Sequence, residues 1–350
     1  MRPLDTSLER KLPFSTDKQL RRKYMILDED IPGNIRWGRI LEKLDKLAED
    51  IALDYVQQFT EDARVVTAAV DDIAMHVPGN IHKDLFMRAR INYVGTSSME
   101  IGIRVDQDRD APDSLAACYF TMVARKGEGK EAESIAIPPL EYESEIEKRR
   151  YEAAKNRRKS YRKQLNAFEE PPRKEEYRHL RALHLAQEEE DFDGILANNL
   201  VRSNWERMYP DHENVPEKIF GGYVIRRAFE LALMHAEEVT PDRPVFVRVN
   251  RINFLQPIRI GDKLDFTSRI VYTGNTSICV EIDIERTSKD QVTRALSNTC
   301  VFTIVNVDDE MNPRPVPKVY PTTYDEDERY LEARRRHQDY ANDVPKEFAR

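Results

Sequence analysis

No apolar segment of this chain is long enough to span a membrane, since a span needs roughly 18–20 consecutive apolar residues. Cysteine is also scarce. The 350 residues include only Cys118, Cys279 and Cys300, which share no spacing typical of a metal site. Each lies in an apolar, strand-like run, so we expect buried thiols in a reducing compartment.

Several catalytic motifs are absent as well. The seven histidines form no HExxH motif and no paired ligand set, so we expect no metal site. The lack of a GxSxG element and of a P-loop argues against an α/β-hydrolase and a nucleotide kinase. A net charge of −8 gives no support for a nucleic-acid partner.

What the chain does contain is an internal repeat. Two segments recur at the same offset of 179 residues, so the stretches between them agree in length. A third match needs three extra residues. Repeats of this length indicate a duplicated domain rather than a solenoid unit. The matching pairs are Val70–Ile73 with Val249–Ile252, Arg90–Gly95 with Arg269–Gly274, and Phe120–Val123 with Phe302–Val305.

Each repeat combines one long helix with the strands that follow it. We predict the helices at Trp37–Phe59 and Gly222–Glu238. A helix followed by consecutive antiparallel strands is an α+β pattern, in which the sheet can wrap around the helix and bury its apolar stripe. The predicted strands are Arg64–Met75, Leu85–Tyr93, Ser98–Val105, Leu115–Ala124, Val245–Phe254, Lys263–Tyr272, Ser277–Glu285 and Ala295–Asn306.

Residues 141–190, between the repeats, have a different composition. Half of them are Lys, Arg or Glu, glycine is absent, and the two signs of charge nearly balance. We predict a solvated helical connector, broken at Pro171-Pro172. The alternative is that its Arg and Lys residues contact an anionic ligand. After the second repeat a charged tail follows, with a predicted helix at Tyr324–Arg336.

The two long helices differ at one position that can carry chemistry. When Gly38 is aligned with Gly222, Asp45 pairs with Phe229, because each lies seven residues further on. A position that holds Phe in one copy points inward, so we expect Asp45 to be partly buried. Burial raises the cost of a carboxylate charge, and such a group can act as a base or a nucleophile. An exposed or salt-bridged carboxylate is the alternative.

The second helix opens with Gly221-Gly222, the only Gly-Gly in the chain. Glycine lets backbone N–H groups come close to a ligand, and the N-terminus of a helix favours negative charge. This combination suits an oxyanion or a phosphate. A simple turn at the start of the helix is an equal alternative.

Four stretches resemble the tandem hot-dog acyl-CoA thioesterases, in particular the branch of mitochondrial acyl-coenzyme A thioesterase 9. They are Asn34–Asp45, Gly95–Glu100, Asn214–Gly222 and Ala228–Ala232. The resemblance implies an α+β fold of two hot-dog domains, each an antiparallel sheet wrapped around a long central helix. It also implies hydrolysis of acyl-CoA to a free acid and CoA. We expect an N-terminal extension at 1–29, hot-dog domains at 30–138 and 195–314, a connector at 139–194 and a tail at 315–350.

The resemblance further implies one complete site between the domains. In such proteins one hot dog supplies an Asp from its helix, and its partner supplies an Asn-containing loop and the glycine helix start. Carried over to this chain, the catalytic set is Asp45 with Asn214, Gly221 and Gly222. Asp45 would be a general base on water or a nucleophile, and the N–H groups at Gly222 and its neighbours would hold the thioester oxygen.

A second site would pair Asn34 and Gly38 with Glu230, because Phe229 replaces the usual acid. We expect this site to be inactive or weak. If Glu230 reaches inward instead, the assignment of the active and inactive sites reverses.

The resemblance also implies acyl-CoA as the partner, with no separate cofactor. Candidate cations for the CoA phosphates are Arg226, Arg227, Arg286 and Lys289. We expect a homo-oligomer, a trimer of two-domain chains. The expected location is the mitochondrial matrix, although Asp5 and Glu9 argue against an intact transit peptide in this segment, and the cytoplasm is the alternative.

Two other functions compete with hydrolysis. A degenerate hot-dog protein could bind acyl-CoA as a sensor or scaffold without turnover, and the loss of one acid favours this slightly. A hot-dog hydratase or dehydratase would need an acid–base pair, often with a histidine, and no histidine lies near Asp45 on either long helix.

Overall fold

The computed structural model describes residues 1–71, 73–107, 114–127, 133–168, 171–215, 218–219, 221–250 and 252–343. Side chains are described in these ranges except at 160–168, 212–215, 218–219 and 339–343. The α-helices are α1 Lys18–Lys23, α2 Trp37–Gln57, α3 Glu145–Phe168, α4 Lys174–Ala186, α5 Gly221–Ala236 and α6 Tyr324–Asp343. Short 3-10 helices lie at Pro3–Thr6, Ala197–Asn199 and Pro210–His212.

The strands are mostly antiparallel. They are β1 Leu8–Leu12, β2 Arg64–Val70, β3 Ile73–Met75, β4 Leu85–Val94, β5 Ser98–Asp106, β6 Ala116–Lys126, β7 Glu133–Ser134, β8 Ile195–Leu196, β9 Val201–Arg207, β10 Glu213–Val215, β11 Lys218–Ile219, β12 Arg243–Val249, β13 Ile252–Asn253, β14 Lys263–Thr273, β15 Ser277–Thr287, β16 Arg294–Val307 and β17 Val319–Tyr320.

The long helix α2 is the centre of the first repeat because one of its faces is apolar. Ile40, Leu44, Leu47, Ile51 and Tyr55 recur every three or four residues, and each is at most 3% exposed. The strands β2, β4, β5 and β6 curve around this face. In the second repeat α5 has the corresponding place against β12, β14, β15 and β16.

The strands of both repeats join in one sheet. Within a repeat, neighbours follow the chain, as in β4–β5–β6 and β14–β15–β16. At the junction β3 pairs with β12, which places Ile73 opposite Val249 and Ala74 opposite Arg248. The strands β2 and β13 pair beside them. This continuity brings α2 and α5 into direct contact.

Charged helices outside the repeats pack on other parts of the sheet. Helix α3 lies on β4, and α6 lies on β14. The ring of Tyr330 on α6 is 5.2 Å from that of Tyr272 on β14. Leu183 of α4 and Leu331 of α6 belong to one buried cluster with Tyr330. Each repeat is therefore covered by a helix from the connector or from the tail.

The predicted α+β class is confirmed, and the predicted helices differ only at their ends. The first helix ends at Gln57 rather than Phe59, and the second runs from Gly221 to Ala236. The segment predicted as one strand, Arg64–Met75, is divided into β2 and β3, where the Asp71 N–H donates to the Tyr119 carbonyl. The connector forms two helices on either side of Pro171-Pro172.

Two predictions about the chain's chemistry can be compared with the structure. All three cysteines are buried and form no disulfide. In the part of the chain that the structure describes, no helix combines the length and the apolar character that a membrane crossing demands.

Candidate active site

The Asp45 carboxylate lies where α2 meets the beginning of α5, and it has no solvent exposure. Its Oδ1 accepts a hydrogen bond from the Thr67 hydroxyl at 2.8 Å. Its Oδ2 accepts one from the Gly222 N–H at 2.6 Å. The structure therefore brings together a helix acid from the first repeat and the glycine helix start of the second.

Glycine at position 221 leaves room for two neighbours. A Cβ atom there would lie 3.0 Å from the Phe254 ring and 3.3 Å from Asp45 Oδ2. The first of these distances requires the phenyl ring to move. The positive end of the α5 dipole adjoins the carboxylate at the same point. Gly221 thus allows an apolar ring, a helix N-terminus and an acid to meet.

The pKa of Asp45 is raised to about 7, and burial is the main cause. The hydrogen bonds from Thr67 and Gly222 oppose the rise because they stabilise the charged form. Glu49, one turn along the helix, raises the pKa further, and Lys46 lowers it. A carboxyl group with a pKa close to neutrality can accept a proton from water and release it again.

Thr67 was not predicted as a site residue, although the repeat contained a signal for it. At the offset of 179 residues Thr67 corresponds to Phe246. On the helix, where Gly38 is aligned with Gly222, Asp45 corresponds to Phe229. The rings of Phe229 and Phe246 are in contact, with centroids 5.1 Å apart. The polar Asp–Thr pair of the first repeat is thus an apolar Phe–Phe pair in the second.

The backbone around these two pairs is the same. The register between β2 and β6 shifts between Thr67 and Ala69. The register between β12 and β16 shifts at the corresponding place, between Phe246 and Arg248. Such bulges change the direction in which a side chain points. The repeats therefore share the geometry and differ in the side chains that it presents.

The corresponding place in the second repeat contains no acid. Gly38 of α2 faces Phe229, whose Cδ1 would be 3.0 Å from a Cβ at position 38. Phe229 is 1% exposed and also contacts Phe302, with ring centroids 5.7 Å apart. A small cavity of about 60 Å³ lies beside it, lined mainly by apolar residues. This region has the character of a hydrophobic core.

Glu230 does not take the place of the missing acid. Its Oε1 binds Arg36 at 2.5 Å, and its Oε2 binds Arg227 at 3.1 Å. Both carboxylate oxygens are therefore held by cations. The alternative prediction, in which Glu230 turns inward as the base, is corrected by these ion pairs.

The prediction for Asn34 is corrected as well. Its Oδ1 accepts the N–H groups of Ile26 and Leu27. Its Nδ2 donates to the carbonyls of Leu27 and Glu29. The amide has two donor hydrogens and two acceptor lone pairs, and all four are used. Asn34 stabilises its own loop and has no hydrogen-bonding capacity left for a ligand.

Asn214 was predicted to orient the water or the carbonyl. Its backbone belongs to β10, which pairs with β11 in a short hairpin before α5. The Asn214 side chain lies outside the described part of the structure.

The four predicted CoA-binding cations do not form one patch of unpaired charge. Arg226 pairs with Glu42 at 3.2 Å, and Arg227 pairs with Glu206 at 2.8 Å. Arg286 pairs with the buried Asp262. Of the four, Lys289 alone has no ion pair within the described residues. Each of the three arginines already has a carboxylate partner, and their contact with the CoA phosphates stays a prediction.

Within the described ranges, no three His, Cys, Asp or Glu side chains are grouped so that they could hold a metal ion. The chemistry that this arrangement can perform is that of a buried carboxyl group beside a helix N-terminus.

Comparisons with known proteins show to which family the chain is similar. Residues 219–293 match the family described as the thioesterase superfamily. The chain is 29% identical to human acyl-coenzyme A thioesterase 9, mitochondrial, over 95% of this chain and 76% of the relative. It is 30% identical to acyl-coenzyme A thioesterase 2, chloroplastic, of Humulus lupulus, over 91% of this chain and 77% of the relative.

A solved structure agrees with the fold. An acyl-ACP thioesterase from Bacteroides thetaiotaomicron superposes on 87% of this chain and 100% of its own, with a TM-score of 0.50 and 10% identity. At this identity the likeness concerns the fold alone. The predicted fold of two hot dogs in one chain is confirmed.

The buried carboxyl group predicts an unusual pH dependence of stability. The pKa of Asp45 is higher in the folded chain than in the unfolded one, so its contribution is largest at low pH. It is lost as the pH rises from about 4 through about 7. Three pKa units correspond to about 4 kcal/mol. We expect Asp45→Asn to be more stable than wild type at pH 8 but not at pH 4.

Urea unfolding at pH 4, 6 and 8, followed by circular dichroism, measures this difference. Glu61→Gln, on the exposed turn after α2, serves as the control and should follow wild type at each pH. Parallel stability curves for Asp45→Asn and wild type would contradict the raised pKa.

Proposed function

Because the chain belongs to the hot-dog acyl-CoA thioesterase family, we propose that it hydrolyses acyl-CoA to a free acid and CoA at one site between its repeats. The observation that carries this proposal is the hydrogen-bonded set of Asp45, Thr67 and Gly222. The set occurs once, since Phe229 and Phe246 occupy the corresponding positions of the other repeat. One active site per chain follows.

In this proposal Asp45 activates a water molecule or attacks the thioester carbonyl itself. The two hydrogen bonds to its carboxylate use two of about four lone-pair positions, so the group can still accept a proton. A pKa of about 7 gives a substantial fraction of the basic form at neutral pH. Thr67 and Gly222 hold the carboxylate in one orientation, which is the role of positioning residues.

The developing oxyanion needs donors other than the Gly222 N–H. That group donates to Asp45, whereas the sequence predicted that it faces the thioester oxygen. We assign the oxyanion to the other N–H groups in the first turn of α5, since the first N–H groups of a helix lack intrahelical acceptors. The leaving thiolate needs no dedicated acid, because a thiol pKa is about 8.5.

Binding without turnover remains the second candidate. The replacement of one Asp–Thr pair by two phenylalanines is the observation that favours it, since it removes one of the two possible catalytic sites. A scaffold protein would gain thermal stability from acyl-CoA and release no thiol. A thioesterase would release thiol.

Two further proposals rest on the family resemblance. We propose a homo-oligomer, a trimer of two-domain chains, which light scattering of the purified protein would measure. We also propose a location in the mitochondrial matrix, which imaging of the full-length protein in its own cells would test. The human relative is named mitochondrial, whereas the Humulus relative is named chloroplastic.

The first functional prediction concerns the acid. We expect wild type to release free thiol from members of a panel of short- to long-chain acyl-CoAs. Asp45→Asn should lower turnover by about 10²–10⁴-fold, the usual contribution of a general base, and should remain folded. Glu230→Gln is the matched control and should retain wild-type turnover, because Glu230 is held by Arg36 and Arg227.

The outcomes distinguish the assignments. Activity that persists in Asp45→Asn and disappears in Glu230→Gln would reverse them. If no acyl-CoA is hydrolysed by wild type but several raise its melting temperature, the binding function is the correct one.

The second prediction concerns Thr67. Removal of its hydroxyl by Thr67→Val deletes a hydrogen bond that lowers the pKa of Asp45. The acidic limb of kcat/KM should therefore move to higher pH, by about one unit for a bond of about 1 kcal/mol. Thr67→Ser keeps a hydroxyl and should restore the wild-type limb. The pH–rate profile measures this shift, and an unchanged limb in Thr67→Val would show that Thr67 does not act through Asp45.

A further inference from the structure

A basic groove of about 650 Å³ lies on the first repeat, between the sheet and the connector helix α3. Along β4, Met87, Ala89 and Ile91 are buried in the core with α2, whereas Arg88 and Arg90 alternate with them. Successive side chains of a strand point to opposite faces. The groove is therefore on the face of the sheet that points away from Asp45.

The register of the strands explains the shape of the groove. Arg90 lies opposite Gly102, and Gly102 lies opposite Tyr119. In the next row Arg88 lies opposite Arg104. Since glycine has no side chain, the Asn92 amide lies over position 102, where a Cβ atom would collide with it. This amide forms the floor of the groove, with arginines beside it.

Helix α3 provides the opposite wall. Arg150, Ala153 and Arg157 line the groove and share one helix face, because they are spaced three and four residues apart. The Arg157 guanidinium lies over the Tyr119 ring at 3.5 Å and binds Glu100. Five arginines from three elements, β4, β5 and α3, therefore line one groove.

Two of these arginines have no direct ion pair. Arg88 and Arg104 share the buried Asp106, and Arg157 has Glu100. By contrast, the guanidinium groups of Arg90 and Arg150 have no hydrogen bond or ion pair with any described residue. Moreover, Nη1 of Arg150 is buried without a partner.

Two nearby carboxylates make no hydrogen bond or ion pair to these guanidinium groups. Glu9 also lines the groove. Glu147, at the start of α3, accepts the backbone N–H groups of Glu143 and Ser144. Its charge raises the pKa of both Arg90 and Arg150. Burial is the main cause that lowers the pKa of Arg90, and the charge of Arg150 lowers it further. The two guanidinium groups therefore repel one another inside a partly desolvated groove.

The second repeat provides an internal comparison. At the offset of 179 residues, Arg90 corresponds to Arg269, Gly102 to Glu281 and Arg104 to Asp283. There Arg269 binds Asp283 at 2.8 Å, and Arg329 of α6 binds Glu281. The second repeat thus neutralises its arginines with acids at the two sheet positions where the first repeat has Gly and Arg.

We propose that this groove binds a small anion carrying two or more phosphate groups, held between Arg90 on the sheet and Arg150 on α3. Guanidinium groups recognise phosphate oxygens in paired, directed contacts. The volume of the groove is in the range of small-molecule sites. Because the groove is separated from Asp45 by the sheet, this site is independent of the proposed hydrolysis.

The test is a calorimetric titration of the full chain with inorganic tripolyphosphate and with ATP, at 0.15 M salt as a stringent condition. We expect wild type to bind, and the double variant Arg90→Gln/Arg150→Gln to bind at least about tenfold more weakly, since two charge-assisted contacts are lost. Arg269→Gln, the counterpart of Arg90 in the second repeat, should bind as wild type does. Tighter binding of ATP than of tripolyphosphate would mean that the groove also recognises the nucleoside.

A second readout separates binding from a structural role. Because Arg90 and Arg150 repel one another, the double variant without ligand should melt at the wild-type temperature or above it. A large fall in melting temperature would mean that the arginines support the fold, and this would overturn the proposal. The proposal would also be overturned if wild type bound neither tripolyphosphate nor ATP. A lower mass of the double variant in light scattering would overturn it as well, since the groove would then contact a second copy of the chain.

Discussion

The hydrogen bond from the Gly222 N–H to Asp45 joins the two repeats at the point on which the candidate chemistry depends. It requires α2 and α5 to cross so that the start of one helix meets the middle of the other. The continuous sheet, through the pairing of β3 with β12, holds both helices in this arrangement. A buried carboxyl group is costly unless it is hydrogen-bonded, so the glycine start of α5 also stabilises the acid that it contacts. Neither repeat alone contains both partners.

The pseudo-symmetry of the chain makes the asymmetry of its side chains informative. Where α2 begins, Gly38 meets Phe229, and where α5 begins, Gly222 meets Asp45. Both repeats have a helix start in contact with the other long helix, but only the first has the polar pair of Asp45 and Thr67. Two phenylalanines in contact bury their area without the desolvation cost of an acid. The second repeat therefore supplies packing and a helix N-terminus, and the first supplies the acid.

Much of this could be predicted from the sequence, because the determining features are local or repeated. Apolar spacing located α2 within two residues of its end, and the pairing of Asp45 with Phe229 predicted burial. Thr67 was missed because its contact depends on a bulge and on the curvature of β2, neither of which has a local signature. The loop amide of Asn34 resembled a site residue, but its four hydrogen bonds are made to backbone groups that only the folded loop brings together. The ion pairs of Glu230 likewise depend on the crossing of the helices.

The arginine groove was even harder to predict from the sequence, because its residues are distant from one another along the chain. Arg90 and Arg104 are distant from Arg150 in sequence, and the composition of 141–190, with its balanced charges, favours a solvated helix. Only the register of β4 and β5 and the docking of α3 place these cations together. Divergence of the repeats therefore affected both faces of the sheet in different ways. On the helix side the second repeat has Phe229 where the first has Asp45. On the outer side the first repeat has Gly102 and Arg104 where the second has the acids Glu281 and Asp283. On each face the two repeats therefore differ in charge at corresponding positions, while the strands keep the same order and the register shifts at the same place.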